Sequence, residues 1–444
     1  MLLSKKWDFI NKFLKLLIII CLLFINKSLI LKILLFDKPL ISTKSPFQNN
    51  FRFLHKIFGF IFPTFSQSNT TFLSKDRGYN RILVIDIMVP NIDKHAGYRC
   101  TYMYLNLFKE IGLQVTFLPD NLKKMEPYTT ILQQKGIEVL YGDWYKKTIN
   151  NWLKNNLKYF KFVYLQRPYI TKKYYDLIRQ YFSGKIFYFA HDLHYIRLLR
   201  QYNITHNKEI LKESKISEKI EMEIFSKADV IHVVGNYEYQ ILKDKFNKKI
   251  IRNIPIYIYD KLLSNVEKDF SKRKDLIFVG GFGHSPNKDA VLWFEKYVYP
   301  KIVKRFQDMI WHIVGSNIPG NIKKLESKNI KVEGFLSDED LHSLYQKCRI
   351  AIVPLRYGAG VKGKIVEAAY NQIPIVTTSI GGEGIDNSLG AFIMEDDAEK
   401  MSEIIIKLYL DYSKLKQMSD SGKKLIEKYF SINTAKEVLL KDIN

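Results

Sequence analysis

The chain has 444 residues, 47% of them hydrophobic and 14% aromatic, which is enough for two domains with their own cores and too apolar for a disordered protein. Its 69 Lys and Arg against 45 Asp and Glu leave a formal net charge of +24, a balance that suits nucleic acid, an anionic membrane surface or phosphorylated substrates, and equally a compositional bias of the whole sequence. No basic–aromatic motif of the RNA-binding modules is present, so nucleic acid is not expected as a partner; the three cysteines, Cys21, Cys100 and Cys348, have no paired or metal-like spacing, and no HExxH, CxxC or Ser/His/Asp set points to a hydrolase.

Residues 1–78 read as a basic, apolar extension. Phe13 to Phe36 is rich in Leu and Ile but is interrupted by Lys15, Asn26, Lys27 and Lys32. Its longest clean run, Leu16 to Ile25, is about half of the roughly 20 residues that a spanning helix needs. No small-residue cleavage site follows it, which argues against a signal peptide. Phe51 to Phe65 mixes aromatics with Arg52, His55 and Lys56. Both stretches are expected to lie on an anionic membrane surface, at the inner, cytoplasmic face of the cell membrane. A single N-terminal transmembrane helix, or packing on the protein's own core, are the alternatives. Ser66 to Gly78 is polar and reads as a linker.

A first α/β domain is expected over 79–260. The β-branched run Arg81 to Ile87, a polar loop containing Gly97, helical spacing from Tyr102 to Ile111, a C-cap at Gly112 and a strand from Gln114 to Leu118 make a strand–helix–strand unit, hence a parallel sheet. Further strands are expected at Gly136 to Tyr141, Phe162 to Gln166, Lys185 to Ala190 and Val230 to Val234. Arg167 and the run His191-Asp192-Leu193-His194 fall just beyond two strand ends, the edge where open α/β sheets bind ligands. Arg197 lies one turn further; the spacing is too close to put Asp192, His194 and Arg197 on one helix face. Taken singly, His191 and His194 fit a helix cap or a satisfied buried histidine as well as a site. Residues 261–274, rich in Lys and Asp, read as the linker.

The second α/β domain is expected over 275–430. Leu276 to Val279 runs into the glycine cluster Gly280, Gly281 and Gly283, after which Asn287 is expected to cap a helix from Asp289 to Phe306. Trp311 to Val314 and Ile330 to Glu333 are strands, and Ser337 with Asp340 forms a capping box. The most informative stretch is Arg349 to Ile385. A buried strand closes at Pro354, a loop carries Gly358, Gly360, Arg356, Lys362 and Lys364, and a helix starting near Val361 carries Glu367. The strand Ile373 to Thr378 follows, then Gly381, Gly382, Glu383 and Gly384. Glycines admit a ligand to the backbone, a helix start favours an anion, and two lysines add charge for phosphate. Glu367, within two turns of that start, is placed to accept hydrogen bonds from sugar hydroxyls. Diphosphate plus ribose is what such a site would hold; a plain strand–loop–helix connection with solvated lysines is the other reading.

The run PLRYGAGVKGKIVEAA followed by PIVTTSIGGEGI, together with HDLHYIR and FVGGFGHSPNKDAVLWF, resembles family 4 glycosyltransferases (glycosyl transferases group 1), over most of residues 80–430. The resemblance implies the GT-B architecture: two Rossmann-like domains facing a cleft, here behind the basic N-terminal extension, with a C-terminal helix in 431–444 returning to the first domain. It implies retaining transfer of a sugar from a nucleotide-diphosphate sugar to an acceptor, a cell-envelope glycan or lipid-linked precursor, without metal or other cofactor. By the same resemblance Glu367 holds ribose, Gly334 and Phe335 lie by the base, and Gly97, Gly281, Phe282, Arg356, Gly358, Gly360 and Glu383 complete the donor side. His191 and Asp192 are catalytic, with Arg167, His194 and Arg197 toward the acceptor. The chain departs from the family at three places. Ala359 stands where many members have a glutamate, Gly281 where an arginine is usual, and His95-Ala96 where an acidic residue precedes the glycine. The diphosphate charge is therefore assigned to Lys362 and Lys364. A nucleotide-sugar epimerase of the same fold and a non-catalytic, membrane-bound sugar-binding protein are the rivals.

Overall fold

The computed structural model describes residues 80–93 and 96–443, built around two parallel sheets. The extension 1–78 and His95 lie outside the described residues, and with them the membrane-facing reading of 13–36 and 51–65.

The first sheet holds β1 (Arg81–Asp86), β2 (Gln114–Pro119), β3 (Glu138–Val139), β4 (Phe162–Gln166), β5 (Lys185–Ala190), β6 (Val230–Val233) and β7 (Ile250–Asn253). Its order is β3-β2-β1-β4-β5-β6-β7, with every pair parallel. The second holds β8 (Asp275–Val279), β9 (Trp311–Val314), β10 (Ile330–Gly334), β11 (Cys348–Val353), β12 (Ile375–Thr377) and β13 (Phe392–Met394), in the parallel order β10-β9-β8-β11-β12-β13. Helices cover both faces of such sheets, so central strands are apolar on both sides and appear in sequence as unbroken hydrophobic runs. β1, β4 and β11 are accordingly buried at every residue.

The helices that shape the cleft are α1 (Ala96–Glu110), α2 (His194–Thr205), α3 (Lys208–Lys227), α4 (Asn236–Lys245), α5 (Ser285–Tyr297), α6 (Asp338–Lys347), α7 (Gly363–Tyr370), α8 (Tyr412–Tyr429) and α9 (Ile432–Ile443). Asn207 and Ser337 cap α3 and α6 by accepting from the backbone N–H of Glu209 and Asp340. Among the described residues no helix is long and apolar enough to cross a membrane.

Three boundaries differ from the expectation for physical reasons. α5 begins at Ser285, with Pro286 in the first turn, where its missing N–H costs nothing; Asn287 is therefore inside the helix and caps nothing. The helical stretch breaks at Val298 because Pro300 opens a separate short helix, Tyr299–Arg305. α1 begins at Ala96, so Gly97 sits in the first helical turn rather than ahead of it.

Two devices outside the cleft hold the domains together. Tyr259, at the end of the first domain, stacks on Tyr370 of α7 at 3.8 Å. The last helix, α9, buries Ala435, Leu439 and Ile443 and carries the buried Asp442 onto the first sheet. There Asp442 accepts from Arg252 Nε at 2.9 Å and Nη2 at 2.8 Å, with His232 Nε2 at 3.9 Å. The ammonium groups of Lys161 and Lys185 donate to the carbonyls of Ile443 and Asp442, which have no partner within the helix. Burial pushes the Asp442 carboxyl up, but His232 and Arg252 outweigh it and hold it below the ordinary carboxylate range. Such a group adds stability above its unfolded pKa and loses it as pH falls through the folded one. Asp442→Asn should therefore lower unfolding free energy at neutral pH by about 1.5–3 kcal/mol. The difference from wild type should close below about pH 4, as measured by urea titration at several pH values. A gap that stays constant into acid would show that the charge of Asp442 contributes nothing.

Candidate active site

Each sheet reverses its winding once, between β1 and β4 and between β8 and β11. At such a switch point the loops leaving the strand ends diverge and open a crevice. The two crevices face one another across a cavity of about 450 Å³. Its walls include the residues after β1, β4 and β5 on one side and those after β8 and β11 on the other.

On the first-domain side the buried Asp86, at the end of β1, organises the wall. It accepts from the Ile87 N–H at 2.8 Å, from the Thr101 hydroxyl at 2.9 Å and from Arg167 Nε at 3.2 Å. Gly97 leaves room for this guanidinium: a Cβ would stand 2.7 Å from Arg167 Nη2 and would have to displace it. Gln166 Oε1 is 2.7 Å from His191 Nε2. Burial, reinforced by Arg167, pushes the His191 imidazole well below its ordinary pKa, so the ring is neutral. The network assigns the proton to Nε2, which donates to Gln166. That leaves a lone pair on Nδ1, which is buried and has no hydrogen-bond partner among the described residues.

Asp192 receives His194 Nε2 at 3.1 Å and Arg197 Nη1 at 3.0 Å. The sequence spacing had set these three apart. They converge because Asp192 lies in the turn ahead of α2, not on it, so the first turn of the helix folds back over its carboxylate. Burial raises the Asp192 carboxyl, but Arg197 and His194 outweigh it and hold it well below the usual range. The start of α2 has no side-chain cap of its own; instead Glu221 of α3 accepts the N–H groups of His194 and Tyr195 at 3.0 and 2.9 Å.

On the second-domain side Lys362 precedes α7 and Lys364 lies in its first turn, which leaves free N–H groups and two ammonium groups at one helix start. Lys364 Nζ donates to Asn287 Oδ1, and Asn287 Nδ2 donates to the Gly281 carbonyl at 2.7 Å. Burial pushes the Lys364 amine down to about 7, with Glu367 opposing. Lys362 is buried, donates to the Gly360 carbonyl and lies 3.9 Å from Glu383. Glu367 accepts from Arg99 Nη1 of the first domain at 3.1 Å, and the same guanidinium donates to Asp338 at 2.6 Å. Burial raises the Glu367 carboxyl, with Arg99 opposing.

Of the residues singled out in the sequence, Gly97, Arg167, His191, Asp192, Arg197, Gly281, Phe335, Gly358, Lys362, Lys364 and Glu367 line this cavity. Phe282 does not; it is a core residue 6.2 Å from Phe278. Arg356 does not, because Asp289 takes up its guanidinium in a two-pronged pair. Gly334 lines a neighbouring recess with Ser316 and Phe335. His194, Gly360 and Glu383 stand behind the wall, supporting Asp192, the His191 turn and Arg200. Arg99, Gln166 and Asn287 were missed. Asn287 lies in the glycine-cluster run but was read only as a helix cap, Gln166 only as the end of a strand, and only the polar loop around Gly97 marked the neighbourhood of Arg99.

Residues 273–411 match the family model described as Glycosyl transferases group 1. A curated protein of Klebsiella pneumoniae, described as an uncharacterized 44.6 kDa protein in the cps region, is 26% identical over 227 residues; the match covers 44% of this chain and 58% of that protein. Among solved structures, sucrose-phosphate synthase from Thermosynechococcus elongatus superposes with a TM-score of 0.60 at 14% identity, covering 82% of this chain and 98% of its own. The pneumococcal O-GlcNAc transferase GtfA, in complex with UDP and GlcNAc, gives 0.60 at 12% identity over 83% and 99% of the two chains. Anabaena HepE, in complex with UDP-glucose, gives 0.57 at 13% over 81% and 98%. The fold is thus GT-B, and the match to glycosyl transferases group 1 lies within the second domain.

The depressed Lys364 makes an anion-binding prediction. An anion at the start of α7 favours the ammonium form, so binding near neutral pH must take up a proton, and affinity must fall as pH rises above about 7. Calorimetry with inorganic pyrophosphate in buffers of different ionisation enthalpy should detect that uptake in wild type and find it reduced in Lys364→Met. Equal uptake in both would remove Lys364 from the site.

Proposed function

We propose that this chain is a retaining glycosyltransferase of the family 4 type, moving a sugar from a nucleotide-diphosphate sugar to an acceptor without a metal ion. The observation that carries the reading is the opposition, across one cleft, of an anion site at the start of α7 to a neutral His191 and an ionised Asp192. The donor diphosphate lies at Lys362, Lys364 and the α7 N–H groups, with the ribose at Glu367. As the glycosidic bond breaks, charge builds on the diphosphate, and the two ammonium groups stabilise it more than they stabilise intact donor. The His191 Nδ1 lone pair accepts a hydrogen bond from a sugar hydroxyl, and Asp192 sets a negative potential near the carbon that becomes cationic. UDP-sugars are the first donors to test, since GtfA and HepE were solved with UDP and UDP-glucose.

The acceptor is a cell-envelope glycan or a lipid-linked precursor of one, a reading supported by the relative from a cps region. Such acceptors sit at the inner membrane face, and the extension 1–78 is basic and apolar enough to bring the enzyme there. Lysines near an anionic surface contribute about 1 kcal/mol each.

A thermal-shift screen against nucleotide sugars tests the donor. Glu367→Ala should weaken binding of the best nucleoside diphosphate by about 1–3 kcal/mol in calorimetry on folded protein, the cost of leaving buried polar partners unmatched; unchanged affinity would remove Glu367 from the ribose. Lys362→Ala should lower kcat more than it raises KM; a change confined to KM would mean that the lysine binds only ground-state donor. Full-length protein should sediment with membranes at low salt and be released by high salt with carbonate. Retention through that wash would indicate a spanning segment, and a wholly soluble protein would overturn the membrane assignment.

A further inference from the structure

Glu238, in the first turn of α4, belongs to the first domain and is 1% exposed. Its Oε1 accepts the N–H of Gly360 at 2.5 Å, in the second-domain loop between β11 and α7. Its Oε2 is buried and has no hydrogen-bond partner among the described residues. Burial raises the Glu238 carboxyl, and the largest opposing influence is Lys362, whose Nζ donates to the carbonyl of the same Gly360. Gly360 is thus held at its N–H by a carboxylate and at its C=O by an ammonium.

The place of that residue matters. Gly360 has φ +69°, and a Cβ on it would stand 2.7 Å from the His191 carbonyl oxygen and 3.0 Å from the Asp192 Cβ. The backbone that Glu238 grips is therefore wedged against the His191-Asp192 turn. A second grip comes from Arg200 of α2, which donates to the Gly358 carbonyl at 2.7 Å and pairs with both oxygens of Glu383 at 2.7 Å.

We propose that Glu238 is a positioning residue, which fixes the 358–362 loop of the second domain on the His191-Asp192 turn of the first and supplies the counter-charge that keeps Lys362 an ammonium facing the donor diphosphate. The proposal rests on the reading of Lys362 given above. If the bond to Gly360 were the whole role, a glutamine would serve as well. A glutamine would keep the oxygen that accepts the Gly360 N–H and remove only the negative charge that acts on Lys362. The groups around Lys362 are Glu383 after β12, Glu238 on α4, Arg200 on α2, Asp192 in the turn and Lys364 on α7. Burial pushes its amine down, Glu383 and Glu238 push it up, and Arg200 pushes it down. Glu383 is already engaged by Arg200, so Glu238 is the less committed of the two carboxylates.

The sign of each change follows. Removing the Glu238 charge makes Lys362 lose its proton at lower pH, where Glu238 in wild type is still ionised. Removing the Arg200 charge frees Glu383 and moves the loss to higher pH. The test is affinity of the full-length chain for inorganic pyrophosphate, by calorimetry from about pH 6 to about pH 10, spanning the range over which a depressed lysine titrates. In a Lys364→Met background, which removes the fall above about pH 7, Glu238→Gln should shift the remaining alkaline fall in affinity downward by about one pH unit, an approximately tenfold loss on that limb. Glu238→Asp should restore the limb, and Arg200→Gln should shift it upward. In a Lys362→Ala background, Glu238→Gln should leave the limb where Lys362→Ala alone puts it. An unmoved limb in Glu238→Gln with wild-type melting, or a shift that persists without Lys362, overturns the proposal while leaving the diphosphate reading intact. Should Glu238→Gln melt early, an unmoved limb in Arg200→Gln overturns it instead. A wild-type chain that binds no pyrophosphate overturns the diphosphate reading and this proposal together.

Discussion

Two buried or half-buried ammonium groups sit at the start of α7, where the helix already carries partial positive charge. This is an unfavourable arrangement in the absence of an anion, and much of the cleft can be understood as compensation for it. Asn287 gives Lys364 an oxygen without adding a charge. The Gly360 carbonyl does the same for Lys362. Glu367, Glu383 and Glu238 supply negative charge from three directions, but none closes an ion pair shorter than 3.9 Å with either lysine. Neutral oxygens and more distant carboxylates hold the lysines, rather than closed ion pairs, which suits the anion site proposed there.

The compensating carboxylates are in turn held from the other domain. Arg99 of α1 spans to Glu367 and Asp338, and Arg200 of α2 spans to Glu383. Glu238 reaches in the opposite direction, from α4 to the Gly360 N–H. The cleft is therefore closed by a set of charge-assisted bonds that run through the groups proposed to bind the donor. In the proposed reading, ribose at Glu367 would have to share that carboxylate with Arg99, which would couple donor binding to the contact between the domains through one side chain. Bonds of this kind are individually modest where exposed, as at Asp338, and stronger where water is excluded, as at Glu383.

How far this was legible in the sequence depends on the range of the interaction. Strands buried on both faces leave unbroken apolar runs, so β1, β4, β5, β6 and β11 were visible, and with them the parallel sheets and the edge where loops gather. Gly97, Gly358, Lys362, Lys364 and Glu367 were visible because strand–loop–helix order alone puts a helix start and its neighbours at that edge. Long-range partners were not. Nothing local distinguishes Arg356, which Asp289 removes from the cleft, from Lys364, which Asn287 holds in it. Asn287 looked like a cap because caps are local, yet Pro286 moves the helix start upstream of it. The convergence of His194 and Arg197 on Asp192 escaped a helix-face argument because the acceptor lies before the helix. Glu221, which caps α2 from α3, has no local signature at all.

The departure at Ala359 bears on the chemistry that the site can support. Ala359 packs against the first-domain cluster around Tyr188, Leu193 and Tyr195 while also lining the cavity. A glutamate there would have to share that apolar contact, so the small residue belongs with the tight approach of loop to turn that Gly360 permits. The carboxylates that do line the cavity are Asp93, Asp192, Asp338 and Glu367. Each is already engaged: Asp93 by the Tyr128 hydroxyl, Asp192 by His194 and Arg197, and the other two by Arg99. None of the four stands as an uncommitted base or nucleophile. A transfer that relied on an enzyme carboxylate attacking the sugar would first have to break one of these pairs. A transfer driven by stabilising the departing diphosphate would not, and the proposed role of Lys362 and Lys364 follows that route.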